Sequence, residues 1–483
     1  MRREVPPETS AVLNGFKETE LGPIPVDSNA ETPRSRDAEA EDLSAPLRLG
    51  DSAFEETEIG PIPVEWEVVR LGEIATLSLG RTPPRKEEKY WTNGTVPWVA
   101  IKDLNNGIIT DTAERISLCA FDELMRNKIV TAGTLLLSFK LTIGKVGILG
   151  IDAVHNEAIA SILPDERVVL RDYLFFTLQI VDYDAFLDTY VKGKTLNKRK
   201  LNILPIPLPP LPEQRRIAHV LSTIQRAIAA QDALIAAARE VKRSLMQRLF
   251  TYGTQRRGDA ETQSVRTKMT EIGEIPEHWE VVRLGDVCER PAYGYTASAM
   301  EAPIGPRFLR ITDIQNGGVD WSSVPYCECS GEVVQKYKLQ PGDIVFARIG
   351  ATTGKSYLVK EAPLAIFASY LIRVRTKPGL CPEYLSQFVN SGHYWQQINA
   401  SKGGRLKQGI NIPVLVNLML PFPSLDEQLA VAHALDTVDR KIEAEERRKA
   451  ALQALFKAML HQLMTDQIRL TQSRRDAEAQ RKL

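Results

Sequence analysis

No apolar run in these 483 residues is long enough to cross a bilayer. The charged start, MRREVPPETS, has no apolar segment after it, so no secretory signal is visible. Cysteine is scarce. Cys119, Cys288, Cys327, Cys329 and Cys381 are odd in number and mostly scattered, which fits a reducing cytoplasm and excludes a disulfide framework. Cys327-x-Cys329 has no second ligand pair nearby to complete a metal site. Charge of one sign is missing too: 61 Lys and Arg balance 61 Asp and Glu. Any argument for nucleic acid must therefore rest on local patches.

Catalytic signatures are also lacking. The six histidines form no HExxH pair; His219 and His433 occupy matching helix sites instead. The Pro-Pro-Tyr/Phe loop of amino-methylation is absent, as is a Gly-rich cofactor motif after a strand. Gly350-Ala-Thr-Thr-Gly354-Lys355-Ser356 looks like a phosphate loop but has three residues between its glycines where four are needed. The matching stretch, Leu141 to Gly147, keeps Gly144-Lys145 and lacks the hydroxyl that would meet magnesium.

What the chain does have is one long amphipathic pattern, twice. Leu211–Phe250 and Leu425–Met464 superpose at an offset of 214 residues. Ile217, Leu221, Ile224 and Ile228 fall on Val431, Leu435, Val438 and Ile442. Further along, Val241 and Leu245 fall on Leu455 and Met459. Spacings of three, four and seven place them on one narrow stripe, the seam of a coiled coil. Gln231 and Glu445 are polar seam positions, and a polar group there fixes register at some cost in stability. Pro212-Glu213-Gln214 and Asp426-Glu427-Gln428 suit helix starts, and Gly253 suits a helix stop. About 38 residues make a rod of roughly 57 Å.

The repeat extends well beyond the helix. WEVVRLG stands at Trp66–Gly72 and again at Trp279–Gly285, so a whole domain is duplicated. Strand-like runs at Glu67–Leu71, Val96–Ile101, Thr134–Phe139 and Val146–Ile151 precede helical runs at Arg171–Gln179 and Tyr183–Tyr190. Strands grouped before helices predict an α+β fold with two similar mixed α/β domains, each followed by a long helix; if the two helices pair as an antiparallel coiled coil, the domains are held at opposite ends of a spacer. The expected layout is a poorly ordered tail at 1–55 and a first domain at 56–204. A proline elbow and long helix follow at 205–253, then a linker at 254–268. The second domain spans 269–419, the second helix 420–466 and a C-terminal tail 467–483. Leu204–Pro212 and Leu420–Ser424 read as stiff extended leads into the helices. Within the tail, ETELGPIPV at Glu18–Val26 nearly duplicates ETEIGPIPV at Glu56–Val64, with a third relative at Thr270–Pro276.

Local basic clusters recur on predicted loops of both domains. The first domain offers Arg81, Thr82, Lys102, Lys145, Lys192, Lys194 and Arg199. The second offers Tyr293, Tyr295, Arg348, Thr352, Lys355, Arg405 and Lys407. Glycine beside cations lets backbone approach a phosphate, and the cations release its counterions. Arg and Tyr can also meet base edges or stack. For any one cluster a solvated face is the slightly favoured reading; three clusters repeated in two domains favour nucleic acid, and a rod about one and a half turns of B-DNA long suits double-stranded DNA.

IPVEWEVVRLGEIA, GRTPPRKEEKYWTNGTVPWVAIKDL, GDIVFARIGATTGK and the paired LPPLPEQRRIAHVLSTIQ and FPSLDEQLAVAHALDTVD together resemble the specificity subunit of type I restriction–modification systems. The resemblance covers about residues 57–466 and implies two target recognition domains, each reading half of an asymmetric, interrupted sequence. It also implies a non-catalytic cytoplasmic chain that binds no cofactor and docks two methyltransferase subunits and, through them, restriction/motor subunits. S-adenosylmethionine, ATP and Mg would belong to those partners, and no membrane would be involved. The second domain departs from the family's Gly-Gly-Thr-Pro loop with PAYGYTAS. Two rivals remain: a coiled-coil scaffold that reads no DNA, and a single-chain methyltransferase–nuclease.

Overall fold

The WEVVRLG repeats are strands whose partners are the proline-rich leads. Glu67–Arg70 pairs antiparallel with Pro205–Leu208, and Glu280–Arg283 with Met419–Phe422. The leads are thus edge strands rather than free spacers, a position where proline's missing donor is tolerated. This long-range closure ties the first and last strands of each domain together immediately before its helix.

The structure is a computed structural model. It describes residues 54–187, 196–254, 266–315, 317–401 and 409–465, and the short strands Phe16–Lys17 and Ile24–Pro25. Residues 52–467 form one unit. Strand pairing at the three related peptides is antiparallel and in the same register. Phe16 faces Pro25, Phe54 faces Pro63, and Thr267 faces Pro276. Two expected boundaries shift accordingly. Phe54 and Glu55, assigned to the tail, and Thr267 and Lys268, assigned to the linker, are strand residues because each hairpin needs its first arm.

The core of the first domain is a sheet ordered Ala75–Leu79, Ile159–Pro164, Leu135–Ser138, Val146–Leu149, Ile108–Ile109. A second sheet joins Val154–His155, Val96–Val99 and Glu114–Ile116. The second domain repeats the plan with Ala292–Tyr293, Leu371–Val374, Ile344–Ala347 and Ser356–Leu358. Leu135–Ser138 and Ile344–Ala347 are buried throughout, as central strands require. Of the expected helical run Tyr183–Tyr190, the described part is a 3₁₀ turn at Asp184–Phe186.

The long helices span Leu211–Tyr252 and Leu425–Met464. The first, with 42 residues, is roughly 63 Å long. They run antiparallel: Lys242 reaches Asp439 and Lys449 reaches Asp232 across the pair, at 2.6 and 2.5 Å. Ile217, Leu221, Val431, Leu435, Ile442 and Met459 are buried, and Ile224, Ile228, Leu245 and Val438 half-buried. Val241 and Leu455, expected in the seam, stand 57% and 47% exposed. Their successors Lys242 and Phe456 turn inward instead, at the three-four alternation that a heptad seam keeps.

Each domain straddles the start of its own helix and the end of the other. At the starts, Glu213 and Glu427 accept from the indoles of Trp66 and Trp279, each at 3.2 Å. Their neighbours Gln214 and Gln428 are wholly buried. Gln214 accepts from the Leu170 amide at 2.8 Å and donates to the carbonyls of Val168 and Pro209. Gln428 does the same with Cys381, Gly379 and Pro423. At the ends, Phe250 packs on Tyr384 and Phe388 of the second domain, and Phe456 and Met464 meet Phe176 and Thr177 of the first. The domains are therefore held at opposite ends of the helix pair.

Candidate nucleic-acid interface

In the first domain a ladder of backbone hydrogen bonds gathers separate loops at one end of the sheet. Arg81 donates to His155 at 2.9 Å, Phe139 to Ala158 at 2.9 Å, and Leu196 to Phe139 at 3.0 Å. Arg81, Thr82, the loop 139–145 and the short helix Lys198–Asn202 thus become neighbours. Gly80 is required there, because a Cβ would fall 2.0 Å from the His155 carbonyl. Gly144 is required as well: its φ is +83° and a Cβ would press on the Tyr183 ring. Leu141 at the loop tip is 82% exposed with a φ of 64°. Lys145, half-buried, has no ion-pair partner among the described residues; its amide donates to the Ser138 hydroxyl. Arg199 is exposed on its helix, and Lys192 and Lys194 lie outside the described residues.

Thr82 donates its hydroxyl to Glu157. Lys102 pairs with Glu114 at 2.8 Å, and the same carboxylate holds Arg85. Arg85 lies over the rings of Trp91 and Trp98, at 4.0 and 4.9 Å. The Lys102 hydrogen bond, with help from Arg85, holds the Glu114 carboxyl below its ordinary range. Close by, Tyr90, Lys89 and Cys119 all donate to Glu123 and lower its pKa to about 2.

The second domain repeats the ladder with other side chains. Tyr295 donates to Phe367 at 2.8 Å and Ile410 to Arg348 at 2.9 Å, as Arg81 and Leu196 do in the first. Gly294 occupies the place of Gly80; a Cβ would fall 2.2 Å from the Ala368 carbonyl. Arg348 lies 4.7 Å over the ring of Tyr293, whose hydroxyl accepts from the Ile412 amide. Its Nε is buried without a hydrogen-bond partner among the described residues. Beyond it, the loop 349–355 carries Thr352 and exposed Lys355, and closes on Gly354, seated against Trp395. The Tyr295 ring instead packs at a tilt against Tyr337 and against the small core that holds Phe308. Arg405 and Lys407 lie outside the described residues.

So the structure gathers Arg81, Thr82, Lys145 and Arg199 in one place, with Lys102 alongside, and Tyr293, Arg348, Thr352 and Lys355 in the equivalent place. Sequence reasoning did not include Glu114 and Glu157, which orient the cations and the threonine, or Tyr370, 57% exposed beside Arg348. Nothing in their local sequence marks them. Among the described residues there is no cluster of three or more His, Cys, Asp or Glu placed to hold a metal, and no helix long and apolar enough to cross a membrane.

Residues 63–238 and 276–454 match the type I restriction modification DNA specificity domain, one match for each repeat. The chain belongs to this family. It is similar to the MjaVIII type I restriction enzyme specificity subunit of Methanocaldococcus jannaschii, with 28% identity over 421 residues, covering 84% of this chain and 93% of that one. It is also similar to the EcoKI specificity subunit of Escherichia coli K12, with 20% identity over 405 residues, covering 78% and 84%. The crystal structure of the type I S subunit from M. genitalium shares the fold. Its TM-score is 0.53 at 13% identity, over 82% of this chain and 96% of that one. The specificity-domain matches each take in a sheet domain, its edge-strand lead and most of the following helix.

Proposed function

We propose that this chain is the DNA-reading subunit of a type I restriction–modification complex and catalyses nothing itself. Each domain reads one half of an interrupted target through the loops at the end of its sheet. Lys145, Arg199 and Lys355 meet phosphates, which positions the domain without specifying sequence. Arg81, Tyr293 and Arg348 face the bases, and the different side chains on the two ladders make the halves of the target different.

The helix pair fixes the gap. A span of roughly 60 Å is a little under two turns of B-DNA, so both domains meet one duplex with a stretch between them unread. The exposed faces of the helices, including Val241 and Leu455, seat two methyltransferase subunits. S-adenosylmethionine binding and adenine methylation belong to those subunits, and ATP-driven translocation and cutting to the restriction/motor subunits.

The observation that carries this reading is the same loop cluster built twice and held at opposite ends of one antiparallel pair. Hydroxyl-radical footprinting of the complex with its methyltransferase partners tests it. Two protected patches separated by an open gap are expected. One continuous patch, or none, would count against it.

A further inference from the structure

The two long helices correspond residue for residue, yet the surfaces they turn to each other are not alike. At the middle of the pair, Gln231 meets its own counterpart, Glu445, 214 residues away; both are about 95% buried. The Gln231 amide donates to the Glu445 carboxylate, which Lys441 also pairs with from one turn away. Those two contacts hold the carboxyl below its ordinary range, so it is charged at neutral pH.

A second layer lies off centre. At one end Asp439 takes Lys242 at 2.6 Å and the Gln387 amide at 2.9 Å. At the equivalent place on the other end Phe456 packs against Phe176, ring centroids 6.0 Å apart. By the repeat alignment Phe456 stands for Lys242, and Phe176 for Gln387.

We propose that these two layers are a pairing code that joins the first half of the chain to the second and rejects like with like. Pairing two second halves would set Glu445 against another Glu445 in a closed seam, and Asp439 against Phe456 where Lys242 now sits. Two like carboxylates there repel, and half-buried Asp439 without its cation is costly. Pairing two first halves would bring Lys242 to Phe176 with Gln225 in place of its acid. The outer ion pairs do not discriminate. Arg239–Glu446 and Lys449–Asp232 would become Arg239–Asp232 and Lys449–Glu446 in like pairs, still of opposite sign.

Such a code has a use during synthesis. The first helix is complete some two hundred residues before the second, and domains form as they emerge. First halves of neighbouring chains meet in that interval with their seams open. A like pair would carry the same reader at both ends, and on the function proposed above it would address a symmetric site. The pairing rule itself does not depend on DNA binding, so its test uses none.

A protease site is placed within residues 254–265 of the full chain and cut after folding. Nicked protein is mixed with its isotope-labelled twin at a urea concentration where labelled and unlabelled halves scramble. Native mass spectrometry then counts the pairs. Only first–second pairs, labelled in every combination, are expected. First–first and second–second pairs at about a quarter each, the random share, would overturn the proposal. Glu445→Gln should let second–second pairs appear; an unchanged distribution would also overturn it. The exchanged variant, Gln231→Glu with Glu445→Gln, restores one acid facing one amide. It should return the mixture to first–second pairs alone.

Discussion

Gln214 fixes the first domain to its helix through three hydrogen bonds in a site with no solvent. Replacing it by Leu keeps the bulk and removes every bond. The Leu170 amide is orphaned, and the carbonyls of Val168 and Pro209 lose the donor shown to them. A buried polar group left unmade costs about 1–3 kcal/mol, taken as about 3 for the orphaned amide and up to about 1 for each carbonyl. Extra apolar burial offsets about 1 kcal/mol, leaving a net loss of roughly 2–4 kcal/mol. The loss is local, so whole-chain melting is a blunt readout for a chain with several cores. Hydrogen exchange is sharper. Amides of the helix Arg171–Thr177, which starts at this anchor, should exchange about 30- to 700-fold faster, taking 1.4 kcal/mol per factor of ten. Those of Pro382–Phe388, behind the twin anchor at Gln428, should not change. Acceleration below about fivefold would mean the anchor contributes under 1 kcal/mol, and the argument for the repeated Glu-Gln pair would fail.

Three further outcomes follow from the same geometry. Seven residues added at the middle of both long helices keep the heptad phase and lengthen the spacer by about 10 Å, roughly three base pairs; the unread gap in the target should grow by that amount with both half-sites unchanged, and a fixed gap would refute the spacer role. Lys145→Ala or Lys355→Ala should weaken binding of the assembled complex to all sequences alike and lower its salt slope by about 0.9, whereas a loss confined to one base position in a binding-site selection would make that residue a base reader. His155 is buried against the Gly80 turn, and burial lowers its pKa. The unfolded chain therefore takes up the proton first as pH falls. Stability from neutral His155 is complete above about pH 6.5 and declines below it. In urea titrations His155→Gln should flatten that decline, and an unaltered slope would assign it to other groups.

Much of this architecture was legible in the sequence because its signals are periodic or repeated. The first helix ends at Tyr252 and the second spans the residues its periodicity marked. Phase was harder to read than period. Val241 and Leu455 are apolar and four residues before the seam positions Leu245 and Met459, yet Lys242 and Phe456 take the inward place. A lysine is not expected in a seam until Asp439, 197 residues away, is known to face it. Strand pairing was hidden for the same reason. Nothing local says that Glu67–Arg70 closes on Pro205–Leu208. The loops of the candidate interface were marked by glycine and charge. Which cations are already neutralised was not, since Glu114 reaches Arg85 and Lys102 only in the folded chain. Tyr295 looked like a reader from its place in PAYGYTAS, and its ring packs inward on Tyr337.

The central claim is that two unlike readers on one chain choose a single interrupted site. The most direct test is the genome-wide map of methylated adenine in the source cells, with and without this gene. The account predicts that deletion removes one motif with two different halves and a fixed gap, and leaves all other methylation in place. An unchanged map in cells that make the whole complex would contradict it, as would loss of a continuous or symmetric motif.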